Sequence, residues 1–223
     1  MTNQPYAIAR PAESLLATNK LVRNTYLLLS MTLLFSAATA GIAIATNMPF
    51  MGPLVTLGGY IGLLFLTAHL RNSAWGLLSV FALTGFMGLT LGPLINAYLH
   101  SFTNGGQLVM LAMGGTGAIF LGLSGYVLTT RKDFSFLGGY VFVGILVAFL
   151  AGIGALIFNL PALSLAVSAM FIMLMSALIL YQTSAMIHGG ETNYIMATIS
   201  LYVSIYNLFT SLLHLLGAFA GED

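Results

Sequence analysis

The sequence has no cysteine and very little charge: six Lys and Arg, five Asp and Glu, 5% of 223 residues. The first absence excludes disulfides, zinc knuckles and cysteine nucleophiles. The second excludes an ordinary water-soluble globule, in which about 25% of residues are charged and help to coat the exterior. A net charge of +1 with no basic run leaves nothing to neutralise phosphates, so nucleic acid is not an expected partner. What the chain has instead is 59% hydrophobic residues and a mean hydropathy of +0.99. Its solvent is lipid.

The charged residues are Arg10, Glu13, Lys20, Arg23, Arg71, Arg131, Lys132, Asp133, Glu191, Glu222 and Asp223, with long uncharged tracts between them. A hydrocarbon core about 30 Å thick needs about 20 helical residues, and backbone in lipid must satisfy its own hydrogen bonds. The tracts therefore predict an all-α, polytopic membrane protein, a bundle of seven transmembrane helices. The spans fall at 24–46, 52–70, 74–99, 107–129, 136–158, 162–188 and 193–219. The breaks have local causes: Asn47 and Pro49, Asn72-Ser73, Asn104-Gly105-Gly106, Arg131-Lys132-Asp133, Asn159 with Pro161, and Gly189-Gly190-Glu191.

This divides the chain into an amino-terminal tail (1–23), a transmembrane domain (24–219) and a short carboxyl-terminal tail (220–223). The connections are too short to hold a separate domain, so function belongs to the bundle, its rims or its tails. All six Lys and Arg lie on the side of the amino-terminal tail. The positive-inside rule makes that tail cytoplasmic and puts Glu222-Asp223 on the periplasmic side. The tail is polar and no small-residue cleavage site follows a short apolar core, so the first span is expected to be a signal anchor.

Many of the 25 glycines sit inside spans at helical spacing: Gly58 and Gly62, Gly88 and Gly92, Gly114-Ala118-Gly122, Gly144-Ala148-Gly152. Small residues four apart let helix backbones approach, so these stripes are expected at helix seams. The rival reading is a helix broken for a substrate or ion site, for which Gly92-Pro93 is the best candidate; a proline kink explains it equally.

Two constellations suggest catalysis or metal binding. Gly122-Leu-Ser-Gly125 with His214 has the style of an intramembrane serine protease. At 1.5 Å per residue, Ser124 lies about 9 Å from the cytoplasmic edge and His214 roughly 30 Å. A working Ser–His pair needs about 3 Å, so no catalytic set is expected. Of the four His, His69 and His188 lie at the inner edge and His100 and His214 at the outer. A rim site of His69, His188 and Glu191 would require the second and sixth spans to be neighbours, and neither a metal nor a cofactor is expected.

The seventh span is more informative. Ser200, Ser204, Asn207, Ser211 and His214 form one polar stripe along a helix face, expected to point into the bundle with Gln182 of the sixth span opposite. Hydrogen-bond glue is the favoured reading and a water-lined path the other. At the cytoplasmic rim stand Arg131, Lys132, Asp133, His188 and Glu191, whose charge signs suit a clamp between loops.

Several segments carry a resemblance: Lys20-Leu-Val-Arg-Asn-Thr-Tyr26 entering the first span, and Thr84-Gly-Phe with Leu91-Gly-Pro in the third. To these add Thr129-Thr-Arg-Lys-Asp-Phe-Ser-Phe-Leu-Gly-Gly139, Ile187-His-Gly-Gly-Glu-Thr-Asn-Tyr194, and Ser200-Leu-Tyr202 with Asn207-Leu-Phe209. In these the chain resembles the Bax inhibitor-1 (transmembrane Bax inhibitor motif) family, most closely its bacterial FtsH-modulator branch. The resemblance covers nearly the whole chain. It implies a non-enzymatic seven-helix protein of the bacterial inner membrane that associates with FtsH, a membrane-bound ATP-dependent protease, and restrains its degradation of membrane substrates. It also implies that the protein is itself an FtsH substrate, gripped by its amino-terminal tail.

Other members of the wider family are pH-sensitive calcium leaks with an aspartate on each of the last two helices. Matching Leu180-Tyr-Gln182 and Leu201-Tyr-Val-Ser204 to those motifs puts Gln182 and Ser204 where the aspartates would stand. Two carboxyls that would shift each other's pKa are then missing. A calcium or cation leak therefore ranks below protease modulation.

Overall fold

Backbone that cannot bond to water closes into helices wherever charge is absent, and a computed structural model shows this over residues 13–220, with side chains described from Lys20 onward. Most of the polar segment expected to serve as a protease handle, and the carboxyl-terminal Glu222-Asp223, lie outside the described residues. The helices are α1 (Glu13–Ala45), α2 (Pro53–Leu70), α3 (Trp75–Ser101), α4 (Gly105–Thr130), α5 (Leu137–Ile157), α6 (Pro161–His188) and α7 (Tyr194–Ala220), with no strand among the described residues. All seven are long and apolar enough to cross a membrane. Their boundaries follow the uncharged tracts except that α1 starts upstream of residue 24; its apolar stretch is Lys20–Ala45.

The helix ends are made by the residues that interrupt the sequence pattern. Asn47, Arg131 and Asn159 adopt left-handed backbone, and Gly189 does so at φ +80 to close α6, a conformation that glycine and asparagine reach at least cost. Pro53 and Pro161 open α2 and α6, where the missing N–H would have had no helical partner. Pro93 lies inside α3, which stays one helix from Trp75 to Ser101. The expected alternative of a helix broken at Gly92-Pro93 is not realised.

The centre of the bundle is shared by three helices: α3 packs on α1, α2, α4 and α7, α6 on α1, α4, α5 and α7, and α7 on α1, α3, α4 and α6. Tyr202 pins three of these elements. Its hydroxyl donates to the Thr84 carbonyl of α3 at 3.2 Å and accepts from Ser36 Oγ of α1 at 2.5 Å. By contrast α2 packs chiefly on α3, and α5 chiefly on α6. Large apolar side chains such as Leu34, Leu54, Phe65 and Phe142 point outward; in water that surface would drive aggregation, whereas in a bilayer it meets acyl chains.

The glycine stripes divide into two kinds. At Gly88 and Gly92 a Cβ would collide with Ser36, Thr39, Ala40 and Ala43 of α1, and at Gly144 with Leu174 of α6. Those stripes are seams between helices. At Gly58, Gly62, Gly114 and Gly122 a Cβ would meet nothing within 4 Å, and these glycines, with Ala118, are exposed. The expectation that all four stripes lie at helix seams is corrected: spacing marks a smooth helix face and does not say what lies against it.

Candidate functional site

The polar stripe of α7 is real in sequence but divided in space. Ser204 is fully buried and donates to the Ser200 carbonyl of its own helix at 2.8 Å. Asn207 uses one amide hydrogen on the Val203 carbonyl, also at 2.8 Å. Ser211 is buried, and His214 Nδ1 meets Ser168 Oγ of α6 at 2.8 Å. Among the described residues, His214 is the one member of the stripe with a side-chain bond to another helix. Ser124 lies buried on α4 without a hydrogen-bond partner among the described residues, and it is Ser168 that the structure joins to His214.

Gln182 is buried on α6, and its Nε2 has no partner among the described residues. Its neighbours on the chain join other elements: Thr183 Oγ1 lies 3.4 Å from the Tyr26 hydroxyl of α1, and Ser184 faces the α4–α5 loop. Asn207 lines a cavity to which neither Gln182 nor Ser204 contributes. Of Gln182 and the residues of the stripe, Asn207 alone lines that cavity.

That cavity, of about 860 Å³, opens in the bundle wall. It lies between α2 and α3 on one side and α5 and α6 on the other, with α7 as its floor. No packed seam joins α2 to α5, so it opens sideways, toward lipid. Thr90, Tyr206 and Asn207 contribute the polar part of the floor, with Tyr60 projecting from α2. Sequence reading missed Tyr60, Thr90 and Tyr206. Val203, Tyr206 and Asn207 do share a helix face, but only the outward displacement of α2 and α5 makes that face the floor of a cavity.

The charged rim is held together by backbone donors. Asp133 Oδ1 accepts from Ser135 N at 2.8 Å and Ser135 Oγ at 2.5 Å, with Ser184 Oγ at 3.4 Å. Phe134 N donates to Ser184 Oγ at 2.9 Å, and His188 Nδ1 donates to the Ser184 carbonyl at 3.0 Å. Buried Ser184 therefore ties the α4–α5 loop to the last turn of α6. Glu191 Oε1 accepts from Thr192 N and Asn193 N at 2.8 and 2.7 Å. The expected clamp of Asp133 and Glu191 on Arg131 and Lys132 is corrected: among the described residues these carboxylates bind N–H and O–H groups, and Lys132 Nζ stands 5.7 Å from the Tyr126 ring centroid.

Asn193 joins a second pair of loops. Its Oδ1 caps α7 by accepting from Ile195 N and Met196 N, while its Nδ2 donates to the Arg71 carbonyl and Asn72 Oδ1. Since α2 does not pack on α6, His69 is not brought to His188 and Glu191, and among the described residues no group of three metal-ligating side chains forms.

The Ser135 hydroxyl and backbone N–H hold the Asp133 carboxyl below the usual carboxylate range, helped by nearby His188. A depressed carboxyl contributes fully above the ordinary aspartate value of about 3.9 and loses that contribution as pH falls through the lower folded value. The loop anchor is therefore expected to be insensitive to pH from about 5 to 8 through this group. An NMR titration of the Asp133 side chain checks this: the midpoint lies below about 3.9, and Ser135→Ala raises it toward that value. An ordinary midpoint in the unsubstituted protein contradicts it.

Fold and cavity together define a polytopic α-helical membrane protein centred on α3, α6 and α7. The chain belongs to the Bax inhibitor-1 family: the family described as "Inhibitor of apoptosis-promoting Bax1" matches residues 18–221. It is 52% identical over 223 residues to an uncharacterised protein of Pseudomonas aeruginosa, covering 100% of both chains. It is 52% identical over 210 residues to the "Modulator of FtsH protease YccA" of Escherichia coli strain K12, covering 94% of each. An uncharacterised membrane protein of Vibrio cholerae is 42% identical over 95% of both.

Proposed function

We propose that the protein is a multi-pass protein of the bacterial inner membrane that binds the FtsH protease and restrains it, acting by contact and performing no catalysis of its own. One observation carries this reading: 52% identity to a protein named as a modulator of FtsH, along 94% of both chains. A relative with the same identity is named an inner membrane protein. The distribution of charge supports an orientation with the amino terminus cytoplasmic. Lys20, Arg23, Arg71, Arg131 and Lys132 stand at the end of the bundle where Asn193 meets the α2–α3 loop and Ser184 meets the α4–α5 loop, and positive charge concentrates on the cytoplasmic side. Residues 1–23 are the proposed handle by which FtsH grips this chain.

Affinity capture from bacterial membranes tests the proposal. The tagged full chain brings down FtsH, and its overproduction lengthens the half-life of an FtsH membrane substrate. Deleting residues 1–18 slows the turnover of the chain itself while capture persists. If FtsH is never captured and substrate turnover does not change, the reading fails.

A further inference from the structure

We propose that the lateral cavity binds one neutral amphiphile from the bilayer, an apolar body with a carbonyl or hydroxyl head, seated head-inward on Tyr60, Tyr206 and Asn207. This holds whichever protein the chain contacts. Three properties of the cavity point to such an occupant. Its size, about 860 Å³, falls within the roughly 300–1,000 Å³ typical of small-molecule sites. Its walls are apolar, with Phe86, Phe149 and Met175 among them. No Asp, Glu, Lys, Arg or His contributes to the lining, so a phosphate or ammonium head would be buried in the membrane without a counter-charge, at a cost of several kcal/mol. The ligand is neutral.

The floor excludes a plain acyl chain. Asn207 lies midway along α7 and spends one amide hydrogen on Val203 O, which leaves a second N–H and the amide oxygen open to the cavity. Thr90 Oγ1 donates to the Met87 carbonyl at 2.8 Å and accepts from the Tyr206 hydroxyl at 3.3 Å, leaving the Tyr206 oxygen able to accept. The Tyr60 hydroxyl has no partner among the described residues and supplies both a donor and an acceptor. Polar groups facing hydrocarbon with hydrogen bonds unmade are costly. A terminal methyl leaves them so, whereas a carbonyl accepts from Asn207 and Tyr60, and a hydroxyl also donates to Tyr206.

The side opening between α2 and α5 supplies the route. A molecule dissolved in the membrane slides in without crossing an aqueous face. Its body extends past Thr56 toward the α1–α2 loop, where Phe50 and Pro53 form the far end of the cavity. A phospholipid would have its polar end at that loop. This occupant has it at the middle of the bilayer.

Photolabelling of the full chain in phosphatidylethanolamine–phosphatidylglycerol nanodiscs decides the matter, using a hexadecanol probe with a diazirine beside the hydroxyl. The label is expected on residues 56–60 and 203–207. It saturates and is displaced by unlabelled hexadecanol; decylubiquinone as a second competitor tells whether carbonyl and hydroxyl heads share the seat. Val203→Trp, which sets an indole over the floor beside Tyr206 and Asn207, sharply reduces labelling, and Asn207→Leu weakens it about tenfold, the loss expected for one buried hydrogen-bonded head group. Leu121→Trp on the exposed face of α4 leaves it unchanged. If Val203→Trp does not fold, Asn207→Leu and Tyr60→Phe carry the comparison.

Label that fails to saturate and spreads over all outward helix faces overturns the proposal. So does label confined to Phe50–Pro53, or its replacement by crosslinks to a second polypeptide. Because the chain has no cysteine, a single Asn207→Cys variant adds an independent readout: a thiol that a charged, membrane-impermeant reagent leaves unmodified supports a dry seat, and reaction with that reagent shows water there and refutes it.

Discussion

Gly88→Leu is expected to abolish accumulation of the folded protein, while Gly122→Leu leaves it unchanged. Both replace a glycine in a small-residue stripe of an apolar helix. A Cβ at Gly88 would run into Thr39 Oγ1 and the Ser36 carbonyl oxygen of α1, and a turn later one at Gly92 would lie 2.9 Å from the Ala40 carbonyl oxygen. Overfilling a fitted interior costs about 1–3 kcal/mol when side chains can shift. Here the obstacle includes backbone, and relief requires prising α1 from α3, so the expected cost is at least about 3 kcal/mol. At Gly122 no atom lies within 4 Å of an added Cβ, and the leucine projects into lipid. Detergent-solubilised melting and yield from membranes distinguish the two. Equal losses would refute the assignment of seam and lipid face.

Tyr202→Ala is the other substitution with a large expected effect, about 3–5 kcal/mol by analogy with emptying a buried aromatic site. Tyr202 is 2% exposed and lies where α1, α3 and α7 meet. Tyr202→Phe keeps the ring and removes only the hydroxyl, leaving Ser36 Oγ without its acceptor and the Thr84 carbonyl without one donor. Hydrogen bonds between membrane helices average about 0.6 kcal/mol and reach about 1.7, so Tyr202→Phe is expected to cost about 1 kcal/mol. A double-mutant cycle with Ser36→Ala isolates the coupling from the lost ring packing. A coupling of zero would remove the hydroxyl from the account of what holds α1 to α7.

The helices were legible because membrane solvation writes a signal into composition: a tract of twenty residues without charge has few alternatives to a spanning helix. Their ends were legible for the same reason that they exist, since Asn47, Asn159 and Gly189 occupy backbone conformations that favour those residue types. Helix neighbours were not legible. Gly88 and Gly122 look alike in one dimension, and only the arrangement of α1 beside α3 separates them. Charge signs likewise suggested that Asp133 would seek Arg131 or Lys132, whereas the closer donors are Ser135 and Ser184, brought near by a turn and by the end of α6. Asn207 was legible as part of a polar stripe. Its position in a cavity, apart from Gln182, depends on where α2 and α5 stand, which no periodicity records.

That α7 follows all four of the helices it packs on has a consequence for biogenesis. During synthesis α1, α3, α4 and α6 enter the membrane before the helix that touches all four has left the ribosome. Until Tyr194–Ala220 is inserted, Ser36 and the backbone of Thr84 await the tyrosine that will join them, and the earlier helices have only one another to pack on. Assembly of the complete bundle is therefore a post-insertion event, and a chain stopped before Tyr194 lacks the helix whose Tyr202 joins Ser36 of α1 to Thr84 of α3.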